Sequence, residues 1–178
     1  MTKKFRIAGI VAAVMLALGG ITMIVYAATT LNKTINHTIT FKPDYAVLDV
    51  SASGYYIYPG SSGSLGEKQP VDFVDNVFSP PEVNFTDKTG YIVYELVFTT
   101  QYSNIEYIIS TAGSDTDVII SYNDTDLGSG YSLITNSVKN DFSTGGGTIF
   151  IKVAFDSIVT AGAEKNVEIL IYCDPKPE

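Results

Sequence analysis

Tyr91-Ile92-Val93-Tyr94-Glu95-Leu96-Val97-Phe98-Thr99 is the stretch that decides the fold. In an extended chain the side chains alternate with period 2, so Ile92, Tyr94, Leu96 and Phe98 share one face. The other face carries Tyr91, Val93 and Val97 and is interrupted only by Glu95 and Thr99. β-Branched and aromatic residues on both sides predict a central strand covered on both faces.

Alternation of the same kind recurs on either side. In 35–41, Ile35, Ile39 and Phe41 share a face with His37, and Asn36, Thr38 and Thr40 oppose them. In 46–52, Ala46, Leu48, Val50 and Ala52 oppose Val47, Asp49 and Ser51. Strands are also predicted at 105–110, 117–122, 148–155 and 167–172, with shorter patterns at 55–58, 71–77, 83–86 and 131–135. Between them lie turn-forming clusters such as Pro59-Gly60-Ser61-Ser62-Gly63, Pro80-Pro81, Gly128-Ser129-Gly130 and Gly145-Gly146-Gly147. Past residue 28 no stretch longer than about ten residues keeps a helical apolar period, and 157–164 has room for one helical turn. The expected class is all-β: a single β-sandwich of jelly-roll or Ig-like Greek-key type, with a closed barrel as the alternative.

The first residues follow a different logic. Lys3, Lys4 and Arg6 precede an uncharged run from Ile7 to Tyr26, and Val25-Tyr26-Ala27-Ala28 closes it with small residues. Basic, apolar, small is the order of a secretory signal, with cleavage between Ala27 and Ala28. The apolar run is also long enough to stay as a membrane-spanning anchor helix, with Gly19-Gly20 weakening its middle. Either way the basic end stays inside and the rest is exported. A type IV pilin leader fits less well, since Arg6-Ile7 offers neither the usual Gly nor a following Glu. The division is therefore 1–27 as signal or anchor and 28–178 as the β domain, located outside the cell or on its surface.

The whole chain has 178 residues and a formal charge of −8. Taking away the three positive charges of the leader leaves −11 on the exported part, a surface that repels phosphate backbones and argues against nucleic acid as a partner. The single cysteine, Cys173, rules out an intrachain disulfide; it reads as a small buried hydrophobe, the alternative being pairing with another chain.

Chemistry is sparse. His37 is the lone histidine, no G-x-S-x-G turn or Gly-Lys-Ser/Thr loop is present, and His and Cys are not clustered, so no catalytic set, phosphate cradle or transition-metal site is expected. No cofactor is required. Calcium is the one candidate ion: Asp115, Asp117, Asp124 and Asp126 offer alternating oxygens around 117–122, with turn-forming Asx chemistry as the other reading. Tyr55, Tyr56 and Tyr58 form a candidate aromatic face for a glycan or protein, or else part of the core. Asn32, Asn36, Asn84 and Asn123 stand in N-x-Thr sequons.

The run from Lys3 through Val25-Tyr26-Ala27-Ala28 into Ile39-Thr40-Phe41 and Val47-Leu48-Asp49-Val50-Ser51-Ala52-Ser53 resembles camelysin/TasA-type fibre proteins of bacterial biofilm matrices. The resemblance covers about 50 residues. It implies a jelly-roll-like sandwich that polymerises by strand exchange, with self-association or a cell-surface protein or glycan as partner. The residues offer a route: Ile35, Ile39 and Phe41 are candidate anchors of a donor strand filling a gap in a neighbour. The alternative is that 35–41 pairs within its own chain. A monomeric or membrane-tethered binding module is the other functional class.

Overall fold

The computed structural model describes residues 33–43, 48–61, 63–72, 74, 77–85, 87, 89–100, 105–142, 145–155 and 164–175. The leader with its Ala27/Ala28 junction lies outside these residues, as does the turn expected at 157–164 except for Glu164, which begins the last strand.

Twelve strands occur among the described residues: β1 (Lys33–Pro43), β2 (Leu48–Tyr58), β3 (Gln69–Pro70), β4 (Val77–Phe78), β5 (Val83–Phe85), β6 (Tyr91–Thr100), β7 (Ile105–Ser110), β8 (Val118–Asn123), β9 (Ser132–Leu133), β10 (Ser137–Phe142), β11 (Gly146–Phe155) and β12 (Glu164–Pro175). They form two sheets. The first runs β10-β7-β12-β1-β4, with β5 also on β1; the second runs β3-β2-β6-β11-β8-β9. The protein is an all-β sandwich of two open sheets and not a closed barrel.

Strand β6 sits at the centre of the second sheet, between β2 and β11. Its inward residues Ile92, Tyr94, Leu96 and Phe98 are fully covered, as are Ile149, Ile151 and Val153 of β11. The first sheet answers with Ile35, Ile39, Ile105, Tyr107, Ile109, Ile169 and Ile171. Aromatic pairs lock the layers: Phe78 meets Tyr94 edge-on at 6.0 Å and Phe85 meets Phe155 edge-on at 5.6 Å. Such pairs add about 0.5–1.5 kcal/mol each beyond the area they bury.

The alternation at 46–52 and the tyrosines at 55–58 belong to one strand. Between Ser51 and Gly54 the register against β6 slips by one residue, a β-bulge. Because side chains alternate, one extra residue exchanges the faces: Val50 points inward before the bulge, Tyr55 and Ile57 after it. Gly54 is required there, since a Cβ would come within 2.5 Å of the Gln69 carbonyl. The Val97 amide donates to the Ser53 hydroxyl at 3.3 Å, filling a gap in the ladder.

Other sequence readings shift less. Strand β8 begins at Val118, leaving Asp117 in the turn, and 131–135 contributes only Ser132–Leu133. Among the described residues of 71–77, the Val74–Val77 bridge and the first residue of β4 are the extended pairings. Strand β10 was not expected. Asn140 sits between Val138 and Phe142 on its inner side and hides the period.

Tyr94 carries a polar atom into the sandwich interior: its hydroxyl is buried without a hydrogen-bond partner among the described residues. An unpaired buried hydroxyl costs about 1–3 kcal/mol. Tyr94→Phe should therefore hold or raise the denaturant midpoint, while Leu96→Ala should cost about 2–5 kcal/mol. Equilibrium urea unfolding of both variants checks this, and a loss above about 1 kcal/mol in Tyr94→Phe would refute the assignment.

Candidate functional site

The strand that sequence analysis singled out as a donor has an unusual position. β1 lies parallel to β12, the last strand, through ten register pairs from Thr34↔Glu164 to Pro43↔Cys173. All the other ladders between named strands are antiparallel. On its far side β1 carries β5 at 33–35 and β4 at 39–40. Neither β4 nor β5 pairs with any other named strand. β1 thus fills a slot between β12 and two short strands, within its own chain.

Its inward side chains make the slot specific. Ile35 faces Val83 across the β5 pairing, and Ile39 faces Phe78 of β4 and Ile169 of β12; all are buried. Phe41 is registered opposite Ile171, and its side chain lies outside the described ones. Between the two isoleucines sits His37, only 7% exposed. Its ring meets Tyr94 edge-on at 5.3 Å and lies 6.5 Å from Tyr55. Neither ring nitrogen has a hydrogen-bond partner among the described residues. Burial pulls its pKa down to about 4; the nearby carbonyls of Pro80 and Pro81 oppose this weakly without reaching hydrogen-bond geometry. A solvent-open cleft of about 480 Å³ reaches His37 between Thr38, Glu82, Asn166 and Glu168.

The other edge of β12 is closed by two devices. β7 pairs with its second half, from Leu170 to Pro175. In the first half, Ser114 Oγ accepts from the Glu168 amide and donates to its carbonyl, both at 2.9 Å. The Asn166 amide donates to the Asp115 carboxylate at 2.8 Å. Asp117 pairs with Lys165 at 2.6 Å.

The four calcium candidates are therefore spread out. Asp115 and Asp117 serve β12. Asp124 accepts from the Asn140 amide at 2.7 Å, and Asp126 accepts from the Gly128 amide at 2.8 Å. Asn123, buried, accepts from the Thr125 amide and hydroxyl, the Asx-turn arrangement. No group of three or more His, Cys, Asp or Glu able to hold a metal occurs among the described residues. Asn123 is also closed to modification in the folded state, whereas Asn84 on β5 is exposed. Cys173 is fully buried, and burial, helped by the Asp174 charge, pushes its thiol up to about 12, which leaves it an inert core residue.

The tyrosine trio divides. Tyr55 points into the core, 6% exposed, beside His37. Tyr56 and Tyr58 point outward and join residues distant in sequence. Tyr58 stacks on Tyr91 at 4.6 Å, Lys152 Nζ lies 3.9 Å from the Tyr91 ring centre, and it lies 5.7 Å from that of Tyr131. The Tyr56 hydroxyl donates to Glu95 at 2.6 Å, and Lys68 pairs with the other Glu95 oxygen at 2.9 Å. Burial, then Glu95, pushes the Tyr56 phenol up to about 12, so it stays a donor. Tyr91, Tyr131 and Lys152 carried no local signal, since only strand pairing brings them to Tyr58.

No protein-family model matches the chain, and no curated protein matches it. Among solved structures it is similar to the major pilin protein T-13 of Streptococcus pyogenes serotype GAS131465, with 8% identity, 83% of this chain and 98% of that one covered, and a TM-score of 0.22. It is also similar to the receptor-binding domain of the plasmid-born adhesin MrkD1P of Klebsiella pneumoniae, with 10% identity, 80% and 88% covered, and a TM-score of 0.19. Scores this low carry no inference, so the chain's own geometry has to carry the function.

The Tyr58–Tyr91–Lys152 stack makes a separate prediction. A cation over an aromatic ring at a part-exposed site contributes about 0.5–1 kcal/mol. A double-mutant cycle of Lys152→Ala with Tyr91→Leu should return a coupling of about that size. Strict additivity would show that the ring contact contributes nothing.

Proposed function

We propose that the protein is an exported, non-catalytic structural subunit of the cell surface or extracellular matrix, which assembles into filaments by exchanging β1 between neighbours. One observation carries this reading: β1 alone holds β4 and β5 to the rest of its sheet, and it comes first in the domain. Only residues 44–47 separate it from β2, which belongs to the opposite sheet. Fully extended, that hinge reaches about 17 Å, enough to hold β1 on a neighbouring body. A neighbour's β1 would make the same buried contacts with the slot as the resident strand makes. Exchange then differs from the closed monomer only by hinge strain and association entropy, as in domain swapping. Kinship with camelysin/TasA-type fibre proteins is part of the proposal.

The outward Tyr56, Tyr58, Tyr91 and Tyr131 favour a second reading, a monomeric or tethered module binding a surface glycan or protein. The two readings differ in mass. Light scattering on protein recovered outside the expressing cell should find polymers if strands exchange, and a strict monomer if not.

Two variants sharpen the test. Ile39→Asp places a charge between Phe78 and Ile169 and should block assembly, at a cost of several kcal/mol to its own fold. Thr38 and Glu168 are exposed register partners. A Thr38→Cys/Glu168→Cys pair in a Cys173→Ala background should tie β1 to its own β12. The oxidised form should remain monomeric and the reduced form should polymerise; polymers from the oxidised form would sink the proposal.

A further inference from the structure

We propose that His37 is a proton switch on β1: taking up a proton at its ring drives the strand out of the slot, so that mild acid releases β1 for exchange. This rests on the strand-exchange reading above and adds its regulation.

The geometry is that of a group held neutral by its surroundings. His37 lies inward between Ile35 and Ile39, with aromatic rings from the opposite sheet against it. From β2 it meets the Tyr55 ring and from β6 the Tyr94 ring, whose phenol burial pushes far up so that it stays uncharged. From the β4–β5 connection come the Pro80 and Pro81 carbonyls and, at the cleft, Glu82. From β12 come Asn166 and Glu168 at the cleft, and from the turn after β7 only Gly113. Glu82 and Glu168 are exposed, so water screens them from the ring. Among the described residues no carboxylate is bonded to the ring to hold an imidazolium in place. A protonated ring here is a buried unpaired charge, which unseating the strand relieves. The cleft gives protons access to the ring while β1 is still seated.

The pH window follows from linkage. The unseated ring titrates near 6.5 and the seated ring near 4. Above pH 6.5 both states are neutral and the seated strand keeps its full stability. Between pH 6.5 and about 4 the unseated state holds one more proton, and the ratio of seated to unseated strand falls by about tenfold per pH unit. Below about 4 both states are protonated and the loss stops, at about 300-fold in total. The direction is the reverse of a salt-bridged histidine, which gains stability in acid.

Amide hydrogen exchange on the monomeric protein, followed by mass spectrometry from pH 7 to 4.5 and corrected for intrinsic rates, tests this. Protection of 164–175 should fall about tenfold per pH unit below 6.5 in the wild type, while 146–155 in the opposite sheet keeps its protection. In His37→Phe, whose ring has no titrating proton, protection of 164–175 should be flat down to pH 5, above the carboxylate range. Should His37→Phe fold poorly, the NMR titration of the wild-type His37 ring supplies the same answer: a midpoint well below 6 supports the switch. Equal slopes in wild type and His37→Phe, loss of protection in both sheets together, or a ring midpoint near 6.5 would each overturn it. A pH-dependent opening in a protein that never polymerises would keep the switch and discard the strand-exchange reading, so the two fail separately.

Discussion

The parallel ladder between β1 and β12 is the constraint on which the rest of the first sheet depends. β12 has two edges, and its neighbours are recruited differently. On one side β7 and the Ser114/Asp115 turn occupy its amides and carbonyls; on the other a strand from the opposite end of the chain does so along ten residues. Beyond β1 the sheet continues only as short pieces, β4 and β5. Each holds a large side chain, Phe78 or Phe85, against the facing layer. Remove β1, and the backbone groups of β12 lose their partners while two core aromatics lose their tether. A buried edge left open in this way is costly, and another extended chain of similar pattern satisfies it.

Much of this was legible in the sequence because period 2 survives wherever both faces matter. The double-sided apolar pattern of residues 91–99 correctly marked the centre of a sheet. Ile35 and Ile39 marked a buried face on the first strand, though nothing local revealed that its partner lies at the other end of the chain. Three features stayed hidden for identifiable reasons. The bulge at Ser51–Gly54 reverses the faces of β2, so a cluster of three tyrosines read as one surface is split between core and exterior. Strand β10 conceals its inner face behind Asn140. The aspartates around β8 carried two readings, ligand or turn former, and the hydrogen bonds they make to β10, to β12 and within their own turn leave no local pattern in the sequence.

His37 shows how a single residue can set the character of a buried strand. An aliphatic side chain would serve packing at least as well. The imidazole replaces that with a polar ring whose nitrogens have no hydrogen-bond partner among the described residues, packed crosswise on Tyr94. The sandwich thus carries an unpartnered polar ring on the strand that joins β12 to β4 and β5.

Parallel pairing of first strand with last also has a kinetic side. Thr34 and Glu164 are joined across some 130 residues of chain, so the slot closes only when synthesis of the domain is nearly complete. A chain made from its N-terminus onward therefore holds β1 long before β12, which flanks it, exists. During that interval the apolar face formed by Ile35 and Ile39 waits without the β12 residues that cover it in the finished fold. The order of amino acids along the chain therefore makes closure of this slot one of the last events of folding.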